Sequence, residues 1–242
     1  MNKEAVYWIA LAHLNKWEHS KINALIHEFY TENKISIEDF FNLSEKEWKL
    51  KYPIDEKDIQ DLQKAKATMA NHAFMAENLF SKGYELIPIT LPEYPVGLKH
   101  TLDKSGAPPL LYIKGNKELL KEKLIAINEQ NNIDLKALKF KNKITNKALK
   151  FKKVIVSGLD EEITDKQLAE PFIKQKGRKI IVLPQGISTF TKGFKLYYKP
   201  IVKGDMLVLS IFQPMTPWSE RRVKVCKPIV YSLAEEVYSM DN

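Results

Sequence analysis

The sequence predicts an α/β protein in which a small all-helical domain precedes a doubly wound parallel sheet. From Ala5 to about Met75, apolar residues recur at intervals of three and four, which is the spacing of amphipathic helices. After Gly115, short apolar runs alternate with helical patterns. Parallel neighbours need a crossover, and a helix usually supplies it, so this alternation indicates a parallel sheet with helices on both faces.

Short helices are expected in the N-terminal part of the chain. Ser36 and Ser44 are expected to cap two of them, and Glu47 follows Ser44 at the spacing of a capping box. Pro53 should end this run, because proline interrupts a helix. A further helix is expected from about Glu56 to Leu79.

The sheet is expected to consist of short strands separated by helices. The predicted strands are Tyr84–Ile89, one within residues 107–116, and then Lys123–Asn128, Val154–Ser157, Lys179–Leu183, Met206–Phe212 and Glu236–Met240. The predicted helices between them are 131–151, 164–176, 192–202 and 220–235.

Composition excludes several classes of protein. Hydrophobic residues make up 44% and charged residues 28% of the 242-residue chain, which is too apolar for general disorder. No run approaches the roughly 18 to 20 apolar residues of a membrane span, and the N-terminus lacks the apolar segment of a secretory signal, so a cytoplasmic location is expected.

The single cysteine, Cys226, excludes an internal disulfide and is expected to be buried. The five histidines are scattered, and neither a metal nor a cofactor is predicted.

The chain is basic. Lys and Arg number 38 against 30 Asp and Glu, for a formal charge of +8. This balance favours polyanionic partners, but it does not distinguish nucleic acid, nucleotide and acidic protein.

Several segments resemble the DprA/Smf family of DNA-processing proteins. They are, in chain order, Tyr94–Leu98, Ala107–Asn116, Val156–Leu159, Ile181–Gly186, Gly204–Ser210 and Ile229–Glu235. They correspond to the family's "YP..L", "PP.L...GN", "VSGLA" and "VL..G" patterns and to a later stretch, and they occur in the same order. The resemblance implies a Rossmann-like sheet domain.

The resemblance also implies a domain organisation and a function. It suggests a helical domain of the SAM or helix-hairpin-helix type over 1–80, a connecting segment over 81–118, and a Rossmann-like domain, shortened at its C-terminal end, over 119–242. Members bind single-stranded DNA in the cytoplasm, and those of natural transformation pass it to a recombinase. A recombinase or a DprA-like protein is therefore an expected partner, and a homodimer is a further expectation.

The phosphate pocket implied by the resemblance departs from the family pattern. Its residues here would be Ser157, Gly158, Gln185 and Gly186. The family's "VGSR" turn is replaced by a stretch containing Asn128, Glu129 and Asn131, and acidic residues 160–162 follow Leu159. Since carboxylates close to a phosphate site repel the phosphate, we expect a degenerate pocket. The alternative is that these acids point to solvent or cap helices.

Two groups of basic residues are candidates for DNA binding. One comprises Arg221, Arg222, Lys224 and Lys227. The other lies on helix 131–151, where Lys143 and Lys147 belong to a stripe with Lys136, Lys139 and Lys150 beside an apolar seam of Ile133, Ala137, Phe140, Ile144, Ala148 and Phe151. For both groups the alternative is a solvated helix face whose lysine stems cover the core.

The leading hypothesis is therefore a non-enzymatic DprA/Smf-like protein that binds single-stranded DNA through basic surface. The alternative is a degenerate scaffold that acts through protein contacts with an intact relative or a recombinase. An enzyme of the phosphoribohydrolase type would need a "PGGxGT" loop, whereas Leu183–Ser188 reads LPQGIS. No catalytic residue is predicted, because Ser157 has no identifiable activating base.

Overall fold

The computed structural model describes residues 3–102, 106–128, 135–159, 172 and 175–240. The chain forms two compact units, one of Met1–Tyr94 with Leu102–Leu111 and the other of Pro95–Thr101 with Tyr112–Asn242. We call them the helical unit and the sheet unit. The domain limits expected at residues 80 and 118 stay predictions.

The helical unit consists of short helices. They are α1 Ala5–Ala12, α2 His19–Ile26, α3 Ile37–Asn42, α4 Glu45–Lys51, α5 Glu56–Ala67 and α6 Met69–Ser81, and a π-helical turn, His27–Glu32, continues α2. Aromatic rings fill its core: Phe29 stacks on Phe40 with ring centroids 4.6 Å apart, and the indole N–H of Trp48 donates to the Phe40 carbonyl at 2.9 Å.

Both predicted serine caps are confirmed. The Ser36 hydroxyl accepts the Asp39 amide N–H, and Ser44 and Glu47 form a complete capping box at the start of α4. The single helix expected from Glu56 to Leu79 is wrong, because α5 ends before Thr68 and α6 begins after it. The Thr68 hydroxyl lies 3.1 Å from the carbonyl oxygens of both Lys64 and Ala65, so it competes for the carbonyls of the last turn of α5.

The described strands form one sheet with the order β1-β2-β6-β5-β4-β3-β7. Its strands are β1 Glu85–Pro88, β2 Leu110–Gly115, β3 Leu124–Ile127, β4 Val154–Gly158, β5 Arg178–Leu183, β6 Met206–Ser210 and β7 Glu236–Tyr238. The helices among them are α7 Val96–Thr101, α8 Leu135–Lys150, α9 Thr191–Leu196, α10 Tyr198–Val202 and α11 Glu220–Leu233. The helix predicted over 192–202 is thus divided in two, and most of the one predicted over 164–176 lies outside the described residues.

The α/β fold class is confirmed, with one departure from an all-parallel sheet. Strands β3 to β7 pair in parallel, whereas β2 is antiparallel to β6, with Tyr112 opposite Ser210. An antiparallel neighbour needs no helical crossover, and an antiparallel strand is common beside an otherwise parallel sheet. The alternation of strands and helices begins after β2 and therefore did not reveal its direction.

Helices cover both faces of the sheet. Ile144 and Ala148 of α8 pack against Ile125 and Ile155. Side chains alternate along a strand, so Gly158 points to the face opposite Ile155. A Cβ added at Gly158 would meet Val230 of α11 at 4.0 Å, which places α11 on that opposite face.

The apolar seam predicted for α8 is only partly correct. Ile144 and Ala148 are buried and Phe140 packs against their cluster, whereas Ile133 lies outside the described residues. The prediction that Phe151 belongs to the seam is wrong, because this residue is 57% exposed. The helix ends at Lys150, and Lys152 then takes a positive φ of 52°, so Phe151 leaves the seam.

Candidate functional site: the carboxyl edge of the sheet

A cleft lies where β4 and β5 end. Its volume is about 220 Å³, and its described lining is Leu159, Gln185, Thr189, Phe190, Thr191, Lys192 and Gly193. We call it the carboxyl-edge cleft. Two of the predicted motifs meet here, since Leu159 follows the Ser157–Gly158 motif and Gln185 belongs to the loop after β5. Ligands of open α/β sheets bind at this edge.

Gln185 is held inside the cleft wall. Gln185 is 6% exposed, and its side-chain amide donates to the Thr189 hydroxyl at 2.8 Å. The backbone carbonyl oxygen of Gln185 accepts the Ser210 hydroxyl at 2.7 Å. The loop after β5 is therefore tied both to its own following turn and to the end of β6, which makes it a rigid wall.

A glycine is required at position 186, because the loop after β5 packs closely there against the loop after β6. Its amide N–H donates to the Thr216 carbonyl at 2.8 Å. A Cβ added at Gly186 would lie 2.1 Å from the Gln213 carbonyl oxygen and 2.3 Å from that of Pro214. This amide is already engaged within the chain, so a phosphate would have to displace Thr216 to reach it. The role of Gly186 in DNA binding stays a prediction.

Ser157 and Gly158 lie at the end of β4. The Ser157 hydroxyl is buried, and it has no hydrogen-bond partner among the residues that the structure describes. A buried hydroxyl normally finds a partner, so this oxygen is a candidate contact for a ligand. Gly158 is partly exposed.

Asn128 directly follows β3 and is the described residue of the stretch that replaces the family's "VGSR" turn. The Asn128 amide N–H donates to the Tyr238 carbonyl at 2.8 Å, and its side-chain oxygen accepts the Tyr231 hydroxyl at 2.8 Å. The chain order reverses between β3 and β7, so Asn128 lies at the switch point of the sheet. Glu129, Asn131 and the acids at 160–162 fall outside the described residues, and their effect on a phosphate stays a prediction.

The basic residues of α11 differ in what they contact. Arg221 and Lys224 are exposed, and Lys227 is partly buried. The Arg222 guanidinium donates to the Pro217 carbonyl and to the Ser219 hydroxyl, both at 2.9 Å. It also lies 5.7 Å from the centroid of the Phe212 ring. Arg222 therefore fixes the start of α11, which leaves Arg221 and Lys224 as the more available cations.

The position of α11 relative to the cleft follows from Cys226. This residue is buried, as predicted, and its thiol donates to the carbonyl of Leu183, the last residue of β5, at 3.4 Å. Because α11 connects β6 to the parallel β7, it runs back from the carboxyl edge of the sheet. Arg221 and Lys224 precede Cys226 and thus lie nearer that edge.

The lysine stripe of α8 is exposed as predicted: Lys136, Lys139, Lys143, Lys147 and Lys150. The Lys147 ammonium donates to the Tyr238 hydroxyl at 2.7 Å and lies 4.6 Å from the centroid of that ring. Since α8 and α11 cover opposite faces of the sheet, their basic residues form two separate surfaces.

Two other kinds of feature are absent from the described residues. In the described ranges, none of the helices combines the length and the apolar character that a membrane span requires. Those ranges also contain no cluster of three or more His, Cys, Asp or Glu side chains that could hold a metal ion.

Comparison with known proteins identifies the family. The family model for DNA recombination-mediator protein A matches residues 85–240. The structure is similar to that of DNA processing protein A (DprA) from Streptococcus pneumoniae, with a TM-score of 0.59, 20% identity, and coverage of 99% of this chain and 77% of that one. It is also similar to DNA processing protein A from Helicobacter pylori, described for its single-stranded DNA binding mode, with a TM-score of 0.50, 16% identity, and coverage of 64% and 68%. A comparison with curated protein sequences gives no match.

The match to the family model includes every segment that suggested the DprA/Smf resemblance, from Tyr94 to Glu235. It extends over the whole of the sheet from β1 to β7. The similarity to the two solved structures supports the same Rossmann-like fold. The resemblance predicted from the sequence is confirmed, and this chain belongs to the DNA recombination-mediator protein A family.

Proposed function

We propose that this chain binds single-stranded DNA at the carboxyl-edge cleft and extends the contact over exposed basic side chains, as a non-enzymatic DNA-processing protein. The observation that carries the proposal is the meeting of two family motifs, at Leu159 and at Gln185, in one cleft of a chain that matches the family over residues 85–240. The Helicobacter pylori relative, described for single-stranded DNA binding, has a similar fold.

Three groups at the carboxyl edge of the sheet are proposed to contact the DNA, one in the cleft and two at the end of β4. The Ser157 hydroxyl is buried and has no partner among the described residues, and it is proposed to donate to a phosphate or base oxygen when a strand occupies this edge. Lys192 lines the cleft and supplies a positive charge. Gly158 lets the backbone at the end of β4 approach the ligand closely.

The cleft alone is proposed to be a weak phosphate site. The Gly186 amide is engaged by Thr216, and the Asn128 amide is engaged by Tyr238. Backbone amides are the groups with which Rossmann-like pockets bind phosphate, and two of them are already used. Affinity is therefore proposed to depend on lysines and arginines outside the cleft. A recombinase partner and a homodimer stay predictions.

Of the two basic surfaces, that of α11 is proposed to contribute more. Arg221 and Lys224 are exposed at the end of α11 nearest the carboxyl edge, where the cleft lies. Lys147 is held by Tyr238, and the stripe to which it belongs lies on the other face of the sheet. Replacing Arg222 would also disturb the start of α11, so its loss would not report on DNA contacts alone.

A salt series of DNA binding tests this ranking. We expect the wild type to bind a single-stranded oligonucleotide with an affinity that falls steeply with salt. Changing Arg221→Gln and Lys224→Gln together should reduce the slope of log affinity against log salt by about 1.4, since each lost phosphate contact removes about 0.7. The matched pair Lys143→Gln and Lys147→Gln removes the same charge and should change the slope less.

Fluorescence anisotropy at several salt concentrations measures these slopes. Wild-type protein that does not bind at low salt, or that binds without salt dependence, contradicts the proposed function. A larger effect of the α8 pair than of the α11 pair contradicts the ranking and leaves the function itself in place.

A further inference from the structure

The segment between β5 and β6 forms an almost continuous helix through α9 and α10. The Tyr197 amide donates to the Gly193 carbonyl at 2.8 Å, and the Ile201 amide donates to the Tyr197 carbonyl at 3.1 Å. These i to i−4 bonds cross the junction between the two helices. Side chains three and four positions apart therefore share one face along the whole segment.

That face is positively charged without compensation. Residues 191–203 contain four lysines, Lys192, Lys195, Lys199 and Lys203, and no Asp or Glu. All four lysines are exposed. Within the part of the chain that the structure describes, none of them forms an ion pair or a hydrogen bond through its side chain. The helix thus presents a row of free ammonium groups.

An aromatic ring lies among these lysines. Tyr198 is 65% exposed, and Val202, one turn further on, is 66% exposed. The neighbouring Tyr197 is buried and stacks on Phe190 with ring centroids 6.4 Å apart. Tyr197 therefore packs in the core, and Tyr198 is exposed three positions after Lys195, on the side of the helix that Lys195 shares.

We propose that this face, the α9–α10 face, is a stacking site for single-stranded nucleic acid, with a base on the Tyr198 ring and phosphates on Lys195 and Lys199. The inference rests on the proposed function and assigns a binding mode to it. Proteins that bind single strands without base readout combine a basic track with aromatic rings on which bases stack. Lys192 belongs to both the face and the carboxyl-edge cleft, so a strand in the cleft can continue onto the face.

The charge of the face selects this occupant over a second copy of the chain. Two α9–α10 faces brought together would oppose eight lysines without an intervening carboxylate, and like charges across an interface are unfavourable. A polyanion neutralises the same charges, and its bases supply the flat apolar surface that an exposed tyrosine ring needs.

Anisotropy titrations with two oligonucleotides of equal length test the inference on the full chain. One is oligothymidylate, and the other carries abasic sites on the same backbone. Changing Tyr198→Ala should weaken binding to oligothymidylate roughly 5- to 150-fold, the range for one lost stacking contact. Tyr198→Phe keeps the ring and should bind as the wild type does. Tyr30→Ala removes another exposed tyrosine, 43% exposed in the helical unit, and should have no effect.

The abasic oligonucleotide separates stacking from charge. With it, Tyr198→Ala and the wild type should bind equally, whereas Lys195→Gln with Lys199→Gln should reduce the salt slope by about 1.4 on both oligonucleotides. If Tyr198→Ala binds oligothymidylate as tightly as the wild type does, the inference is overturned and the proposed function stands. An equal loss on both oligonucleotides, or a dimer in light scattering that Tyr198→Ala abolishes, also overturns it. Failure of the wild type to bind either oligonucleotide removes the proposed function itself.

Discussion

Gly186→Ala should destabilise the sheet unit by about 3 kcal/mol, at the upper end of what overpacking usually costs. The added methyl would lie 2.1 and 2.3 Å from two backbone carbonyl oxygens, those of Gln213 and Pro214. Backbone atoms cannot rotate away as a side chain can, so the two loops must separate. Separation would also lengthen the 2.8 Å hydrogen bond from the Gly186 amide to Thr216.

Thermal unfolding measures this effect, and a loss of 3 kcal/mol corresponds to a decrease in Tm of roughly 6 to 12 °C. Gly158→Ala is the matched control, because it belongs to the same predicted site and its added methyl would meet Val230 at 4.0 Å, an ordinary contact. That variant should unfold close to the wild type. Equal Tm values for Gly186→Ala and Gly158→Ala would show that the loops after β5 and β6 move apart without cost.

The parts of the fold that the sequence predicted well are those set by local chemistry. Ser44 and Glu47 are three residues apart, and the side chain of each accepts the backbone N–H of the other. The capping box therefore needs no distant contact. The core strands are runs of branched apolar residues, and β4, β5 and β6 lie within two residues of their predicted limits.

The errors arise where a local pattern leaves two outcomes open. Thr68 fits a helix by periodicity, but its hydroxyl contacts the carbonyls of Lys64 and Ala65 and divides α5 from α6. The direction of β2 depends on its pairing with β6, almost 100 residues later, and no residue of β2 encodes that pairing alone. Phe151 continues the heptad-like spacing after the helix has ended.

The sequence motifs indicated where the candidate cleft lies but not the hydrogen bonds around it. The motifs around Ser157 and Gln185 follow strands, and the carboxyl ends of parallel strands share an edge. That Gly186 is engaged by Thr216, and Arg222 by Pro217, depends on how the 213–219 loop folds back, which sequence spacing does not reveal. Lys192 was missed, although the absence of acids from residues 191–203 was a visible signal.

Lowering the pH from 7.5 to 5 should destabilise the helical unit by about 2 kcal/mol through His13 alone. His13 follows α1, His19 begins α2 and His72 lies in α6. Burial, together with the neighbouring His19 and His72, lowers the pKa of His13 from 6.5 to about 3. Burial also lowers the pKa values of His19 and His72.

The direction of the effect follows from which state binds the proton. Between pH 6.5 and about 3, the unfolded chain protonates this imidazole and the folded chain keeps it neutral. The free energy of unfolding therefore falls as the pH decreases through this window and levels off below it. A pH of 5 lies 1.5 units below the unfolded pKa of 6.5, and each unit lowers the free energy of unfolding by about 1.4 kcal/mol. The loss at pH 5 does not depend on the exact folded pKa, because that pKa lies well below 5.

Urea unfolding at pH 7.5 and pH 5 measures the loss, with tryptophan fluorescence as the signal, because Trp8 and Trp48 are both buried in the helical unit. His13→Gln removes the titrating group and should lose much less stability between the two pH values, whatever its stability at pH 7.5. His27→Gln replaces a histidine whose side chain is 48% exposed and should keep the wild-type loss. If His13→Gln and the wild type lose the same amount, protonation of His13 does not oppose folding, and the acid sensitivity of this unit must come from His19, His72 or its carboxylates.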